Sequence, residues 1–483
     1  MAAILTELDN SPAPSAKASH RLYQAGMTSL VAALVYCYWS TGGDISLAQL
    51  IALGIIVLAS LPALRWARTR RTWFPAFEIS LLICIAFYAV PLFKSSGELA
   101  GIDATSRAQA ALLVLIYAAC ANFGFALVRL RPRAPRWATE SLLPQTAMRW
   151  IPFGMFLNVV FVYISIYINV IPFAIVGTLR AFFFGIGIMS TFILARQWGF
   201  GKLNRQQSGF FVFCVVAYLL LTFSSLYLIG GISLLALAII SYASARRHIP
   251  WVTIGIGVTV IALLHLGKPE MRKQYWDPET NETKGSQVNS LADLPAFYTE
   301  WLGYSMEGLK ASESKEDQAP SSLFDRASLI QMICLSVIEV PAEKPYLWGE
   351  SYVDIPAQFI PRFLWANKPS SLLANIRLAV YFNLVDPDSA FSVSIAFGPL
   401  AEAYVNFGYF GVGLFGLLMG AGYKRISMLA DGMPQFSALG IFMILLTAWS
   451  FQAEQVLATW VSSLFQACVV CIGLPVAYRR FFG

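Results

Sequence analysis

Stretch after stretch of this chain is apolar over roughly 17 to 25 residues, the length a helix needs to cross a ~30 Å hydrocarbon core. These runs lie approximately at 21–40, 46–64, 73–93, 107–128, 150–170, 178–196, 209–228, 229–245, 251–267, 396–420, 436–453 and 456–477. The seventh and eighth are joined only by "LIGG" and can alternatively form a re-entrant pair. Composition agrees, with 57% hydrophobic residues, 13% charged and a mean hydropathy of +0.62. Soluble domains carry about 25% charged residues, so lipid must replace the missing solvated surface. The expected fold is all-α: a polytopic transmembrane bundle of about twelve spans.

Basic residues gather at alternate connections. Arg65, Arg68, Arg70 and Arg71 follow the second span, and Arg129, Arg131, Arg133 and Arg136 follow the fourth. Arg196, Lys202 and Arg205 follow the sixth, Arg246 and Arg247 the eighth, Lys424 and Arg425 the tenth, and Arg479 and Arg480 close the chain. Cytoplasmic connections carry such an excess, so both termini are expected in the cytoplasm. The opening "MAAILTELDNSPAPSAKASHR" lacks the pattern of a cleavable signal and reads as a short cytosolic tail, 1–20. The net charge of +7 is a membrane-rim signature and does not point to nucleic acid.

Four regions result: the tail 1–20, an N-terminal bundle 21–267, a long connection 268–395 and C-terminal helices 396–483. Parity places the long connection on the extracytoplasmic side. It holds eleven Lys and Arg against seventeen Asp and Glu, and a structureless loop of that length would call for a functional reason. Its amphipathic runs "ASLIQMICLSVIEV" and "YVDIPAQFIPRFLW" suit the membrane surface. The sequon at Asn281 would matter only in a glycosylating pathway.

Little points to metal or redox chemistry. Six of the seven cysteines lie in apolar spans, and the three histidines have no carboxylates at ligand spacing. Cys468 and Cys471 have redox spacing without a βαβ context and read as small core residues. No metal and no cofactor is expected.

Candidate anion ligands are Arg326, Arg362, Lys368 and Arg377 in the long connection, with Arg180 at the outer end of the sixth span. Each alone could be a snorkelling side chain; together they suggest an anionic partner. Arg362 in "IPRFLW" offers a planar donor fork that matches phosphate geometry, and Pro361 and Pro369 stiffen its surroundings. Glu402 lies near the N-terminus of the tenth span, with Gly398 and Asn406 four residues away on the same face. Ionisable groups in spans are candidate functional sites, although a capping or packing carboxylate is equally consistent. Glu350, Asp354 and His265 are alternative bases, Asp386 and Asp388 read as a turn, and Gly416 and Gly420 form a close-packing GxxxG.

Arg326 in "FDRASLIQM", "GESY" at 349–352, Pro361-Arg362, Trp365, Lys368-Pro369 and "AEAYVNFGYFGVGLF" follow one another in an order that resembles the Wzy-type oligosaccharide repeat-unit polymerases of O-antigen and exopolysaccharide synthesis. The resemblance covers about residues 320–425. It implies a GT-C-like, metal-independent glycosyltransferase on the outer face of the bacterial inner membrane. Its donor and acceptor would be glycans on undecaprenyl pyrophosphate, with a chain-length regulator protein as a further partner. On that footing Arg362, Lys368, Arg326, Arg180 and Arg377 would serve the pyrophosphate, and Trp365, Tyr404 and Asn406 the sugar or lipid. Glu402, then Glu350, would be the base. A flippase for the same lipid-linked substrate and a glycan ligase are the competing expectations.

Overall fold

The computed structural model describes residues 15–69, 74–93, 99, 101–130, 132–142, 150–168, 173–226, 228–275, 290–314, 328–360, 365, 367–386 and 395–482. Among these the chain is helical and contains no strand. The main helices are α1 (Ala16–Trp39), α2 (Leu47–Arg68), α3 (Ala76–Phe93), α4 (Ala104–Leu127), α5 (Ile151–Ile168), α6 (Phe173–Gly199), α7 (Arg205–Phe223), α8 (Leu228–Arg246), α9 (Trp251–Tyr275), α10 (Leu294–Ser314), α11 (Ile330–Glu339), α12 (Leu373–Tyr381), α13 (Gly398–Ala430), α14 (Ala438–Trp449) and α15 (Leu457–Phe481). Nine of the described helices (α2–α7, α9, α13 and α15) are long and apolar enough to cross a membrane. The chain is therefore a multi-pass membrane protein in character.

Three expected spans take a different form. α8 offers only a shorter apolar helix, Gly230–Arg246. α1 is long enough, but Gln24, Gly26, Thr28, Ser29 and its tyrosines leave it less apolar than the nine. α14 has 12 residues, about 18 Å at 1.5 Å per residue, short of the hydrocarbon core. Ten of its residues are buried within the protein. Its apolarity thus answers to protein packing, a demand that hydropathy alone does not separate from contact with lipid.

The chain divides into two compact units. The first comprises described parts of 142–326 and 469–483. One of its apolar clusters joins Met155, Leu194, Phe211, Tyr218 and Leu234 from α5–α8. Another joins Phe223, Leu264, Met271, Phe297 and Trp301. Here α9 runs past the expected span end at 267, and α10 packs on it. Trp301 Nε1 donates to the Leu264 carbonyl at 2.6 Å. Residues 268–275, which open the long connection, therefore continue α9.

The second unit comprises described parts of 12–141 and 327–468. Its dominant packing is α13 along α4. A Cβ on Gly416 would come within 2.7 Å of the Tyr117 carbonyl, and one on Gly420 would overlap the Ala121 carbonyl. The GxxxG therefore lets the two backbones approach. Gly420→Val is expected to cost about 1–3 kcal/mol by overpacking. Gly422→Val faces open space and should cost little. Thermal unfolding of the two detergent-solubilised variants, followed by size-exclusion fluorescence, checks this.

Candidate functional site

The helix α13 has 33 residues and is about 50 Å long, well beyond a ~30 Å core. It breaks near its N-terminal end. Phe407 adopts φ −141°, ψ 18° and Gly408 φ 59°, ψ −147°, a region open essentially to glycine. A Cβ at Gly408 would also lie 3.0 Å from the Tyr346 hydroxyl. The break frees carbonyls that a continuous helix would keep for itself. The long connection captures them: Leu347 N–H donates to the Val405 carbonyl at 3.0 Å, and Trp348 N–H to that of Asn406 at 3.2 Å.

Side chains complete the join. Asn406 is fully buried. Its Oδ1 accepts from the Gly349 N–H at 2.8 Å, and its Nδ2 donates to Ser351 Oγ at 2.8 Å and to the Glu402 carbonyl at 2.7 Å. Gly349 itself has φ 98°, which turns the chain so that its N–H reaches Asn406. Glu402, also fully buried, accepts from Ser351 Oγ at 2.8 Å on one oxygen and from the Leu457 N–H at 2.7 Å on the other. A buried carboxylate requires such partners, and these pin both the "GESY" turn and the start of α15 to α13. Tyr404 donates its hydroxyl to the Val340 carbonyl at 3.1 Å.

The segment that follows is braced by its own basic residues. Arg377 on α12 pairs with Asp354 at 2.8 Å and donates to the Glu350 carbonyl at 3.0 Å. Lys368 is buried and donates to the Ile360 carbonyl at 2.9 Å. Gln358 donates to the Pro369 carbonyl at 3.3 Å and accepts from Ser462 Oγ of α15 at 3.3 Å. Among its described residues the expected amphipathic run 352–365 forms one short α-helix, Ile355–Gln358, whereas the earlier run folds as α11.

The second unit thus brings together Glu402, Glu350, Asn406, Tyr404, Lys368 and Arg377. Trp365 is exposed there, as is Glu350. Arg180 lies on the exposed face of α6 in the first unit, and His265 is buried there on α9. Arg362 and Arg326 lie outside the described residues, as do Pro361, Asn281 and Asp388. Among the described residues no group of three or more His, Cys, Asp or Glu side chains could hold a metal ion.

Sequence reasoning missed Glu454, in the turn between α14 and α15. Its carbonyl accepts from the Gly398 N–H at 3.1 Å, placing the turn at the N-terminal tip of α13. Burial pushes its carboxyl up to about 7. The available signal was an acid in a short connection between two apolar runs.

A family model described as "Domain of unknown function (DUF8712)" matches residues 153–453, more than half of the chain. Comparisons with curated proteins and with solved structures give no match.

Asn406→Leu would strand the part-buried Gly349 N–H, at about 1–3 kcal/mol for an unsatisfied group, and would leave Ser351 Oγ with only its bond to Glu402. Glu350→Gln, at an exposed side chain, should change stability by no more than about 0.5 kcal/mol. Thermal unfolding and limited proteolysis are expected to show the 347–371 segment loosened in Asn406→Leu alone.

Proposed function

The chain belongs to this family of unknown function, and we propose that it joins lipid-linked oligosaccharide repeat units at the outer face of the bacterial cytoplasmic membrane, as a Wzy-type polymerase does. One observation carries the reading. Two stretches that carry the resemblance, "GESY" at 349–352 and "YVNFG" at 404–408, are distant in sequence yet joined in one hydrogen-bond network. The resemblance is thus between parts that act as one structure.

The chemistry needs two things. A pyrophosphate leaving group needs donors placed where negative charge develops, and the attacking sugar hydroxyl benefits from a positioned base by about 10²- to 10⁴-fold. Arg362 and Arg326 are assigned to the leaving group, with Arg180 as an outlying candidate. Lys368 and Arg377 hold the loop that carries Arg362, since their described bonds run to that loop and its neighbours. Glu402 positions the site, because both its oxygens are engaged and the side chain has no exposed face. The twelve-span, GT-C-like arrangement with cytoplasmic termini belongs to this same reading.

A broken helix is also what a transporter of the same lipid-linked substrate would show near mid-membrane. Here the break lies about 15 Å from the N-terminal end of α13, and loop amides take its freed carbonyls, an arrangement that suits a fixed site better than an alternating one.

Deleting the gene and restoring wild type or Arg362→Ala at equal membrane abundance tests the proposal through the length distribution of the surface glycan. Wild type should restore a ladder. Arg362→Ala should leave mainly single repeat units, with joining reduced by roughly 10²-fold or more, the size of effect seen for a lost transition-state donor. Long polymer in the deletion strain would contradict the reading.

A further inference from the structure

The turn between α14 and α15 has a chemical character the rest of the site lacks. A cavity of about 50 Å³ opens beneath it, lined among others by Tyr88, Tyr117, Tyr423, Gln452, Gln455 and Trp460. Tyr88 is 1% exposed, and its hydroxyl has no hydrogen-bond partner among the described residues. Gln452 Oε1 and Gln455 Oε1 of the lining are also buried and unpartnered among the described residues, as is Oε2 of Glu454, which stands in sequence between the lining residues Ala453 and Gln455. Such groups cost about 1–3 kcal/mol each when left dry, and the volume suffices for a few waters or the hydroxyl-bearing edge of a sugar, not for a whole ring.

Its occupant is chosen by charge and donor count. A carboxylate only accepts hydrogen bonds, and no lining residue of the cavity carries a formal positive charge. Phosphate therefore finds no counter-charge there, whereas hydroxyl groups fit the Tyr88 hydroxyl and the glutamine oxygens. Tyr88 sits in the π-helical turn Ile85–Ala89 of α3. A Cβ on Gly398, whose φ is 73°, would lie 3.0 Å from its hydroxyl and 2.8 Å from the Ala453 carbonyl. The absent side chain at Gly398 is what lets the turn and Tyr88 face each other.

We propose that Glu454 takes the proton of the attacking sugar hydroxyl, and that the adjoining cavity of Tyr88, Gln452 and Gln455 seats neighbouring hydroxyls of the acceptor's terminal sugar. This rests on the glycan-joining function proposed above. The acceptor O–H bond breaks and its proton passes to the carboxylate. The oxygen's electron pair forms the new C–O bond at the donor's anomeric carbon. The C–O bond to pyrophosphate breaks with its electrons on the leaving oxygen, releasing undecaprenyl pyrophosphate. The carboxyl then returns its proton to solvent, which the partly exposed side chain permits.

Glu402 has both oxygens engaged and no exposed face, and Glu350 is an exposed residue of the 350–352 turn, outside the α14–α15 turn whose residues line the cavity. Burial raises the Glu454 carboxyl to about 7, a value suited to a base working near neutrality. The titratable groups on the helices packed around the turn are Cys84 and Tyr88 of α3, Tyr117 of α4, and Glu402 and Tyr423 of α13.

The test uses membrane vesicles containing the native lipid-linked repeat units and wild type, Glu454→Gln, Glu454→Asp or Tyr88→Phe at matched abundance. The rate of repeat-unit joining is followed against pH. Glu454→Gln should be at least ~100-fold slower, as expected for loss of a general base. The wild-type rate should fall about tenfold per pH unit below its acid limb near 7, as the base becomes protonated. Glu454→Asp should keep activity with that limb displaced, and Tyr88→Phe should raise KM more than it lowers kcat. A wild-type rate in Glu454→Gln overturns the assignment. So does an acid limb unmoved in Glu454→Asp, which stays readable if the Gln variant fails to reach the membrane. Wild-type vesicles that join no units would overturn the polymerase reading itself.

Discussion

The break in α13 at Phe407–Gly408 is the constraint on which the site depends. Carbonyls released by a helix break must find donors, since an unpaired buried backbone group costs as much as a lost hydrogen bond. Leu347 and Trp348 supply those donors through their backbone N–H groups. That pairing alone would fix two strands of backbone. Asn406, Ser351 and Glu402 extend it into a side-chain network that also takes in the Leu457 N–H. Three segments distant in sequence thereby share one rigid junction, and hydrogen bonds to a charged group of this kind contribute on the order of 1.5–3 kcal/mol each.

What rests on the junction is a loop held by its own charges. Lys368 is turned inward onto the Ile360 carbonyl, and Arg377 bridges Asp354 and the Glu350 carbonyl. Some of the basic residues that the sequence presents as one cluster thus hold the chain itself.

Part of this was legible beforehand. The apolar runs located the nine long apolar helices, and the four-residue spacing put Gly398, Glu402 and Asn406 on one face, where Asn406 indeed bonds to the Glu402 carbonyl. The small residues Gly416 and Gly420 announced the close approach to α4. Other features were not legible. Nothing in "NFG" distinguishes a break from a packed glycine, because the distinction depends on donors some sixty residues upstream. Burial of α14 inside protein and contact with lipid demand the same apolar side chains. Glu454 escaped notice because its environment comes from Tyr88 and Gly398, which only the fold brings to it.

The most direct test of the central claim is reconstitution. Purified protein in liposomes, supplied only with lipid-linked repeat units, should produce lengthening glycans and release one undecaprenyl pyrophosphate for every linkage formed. Movement of intact lipid-linked units across the bilayer without any linkage formed would contradict the account and leave the junction as part of a transporter.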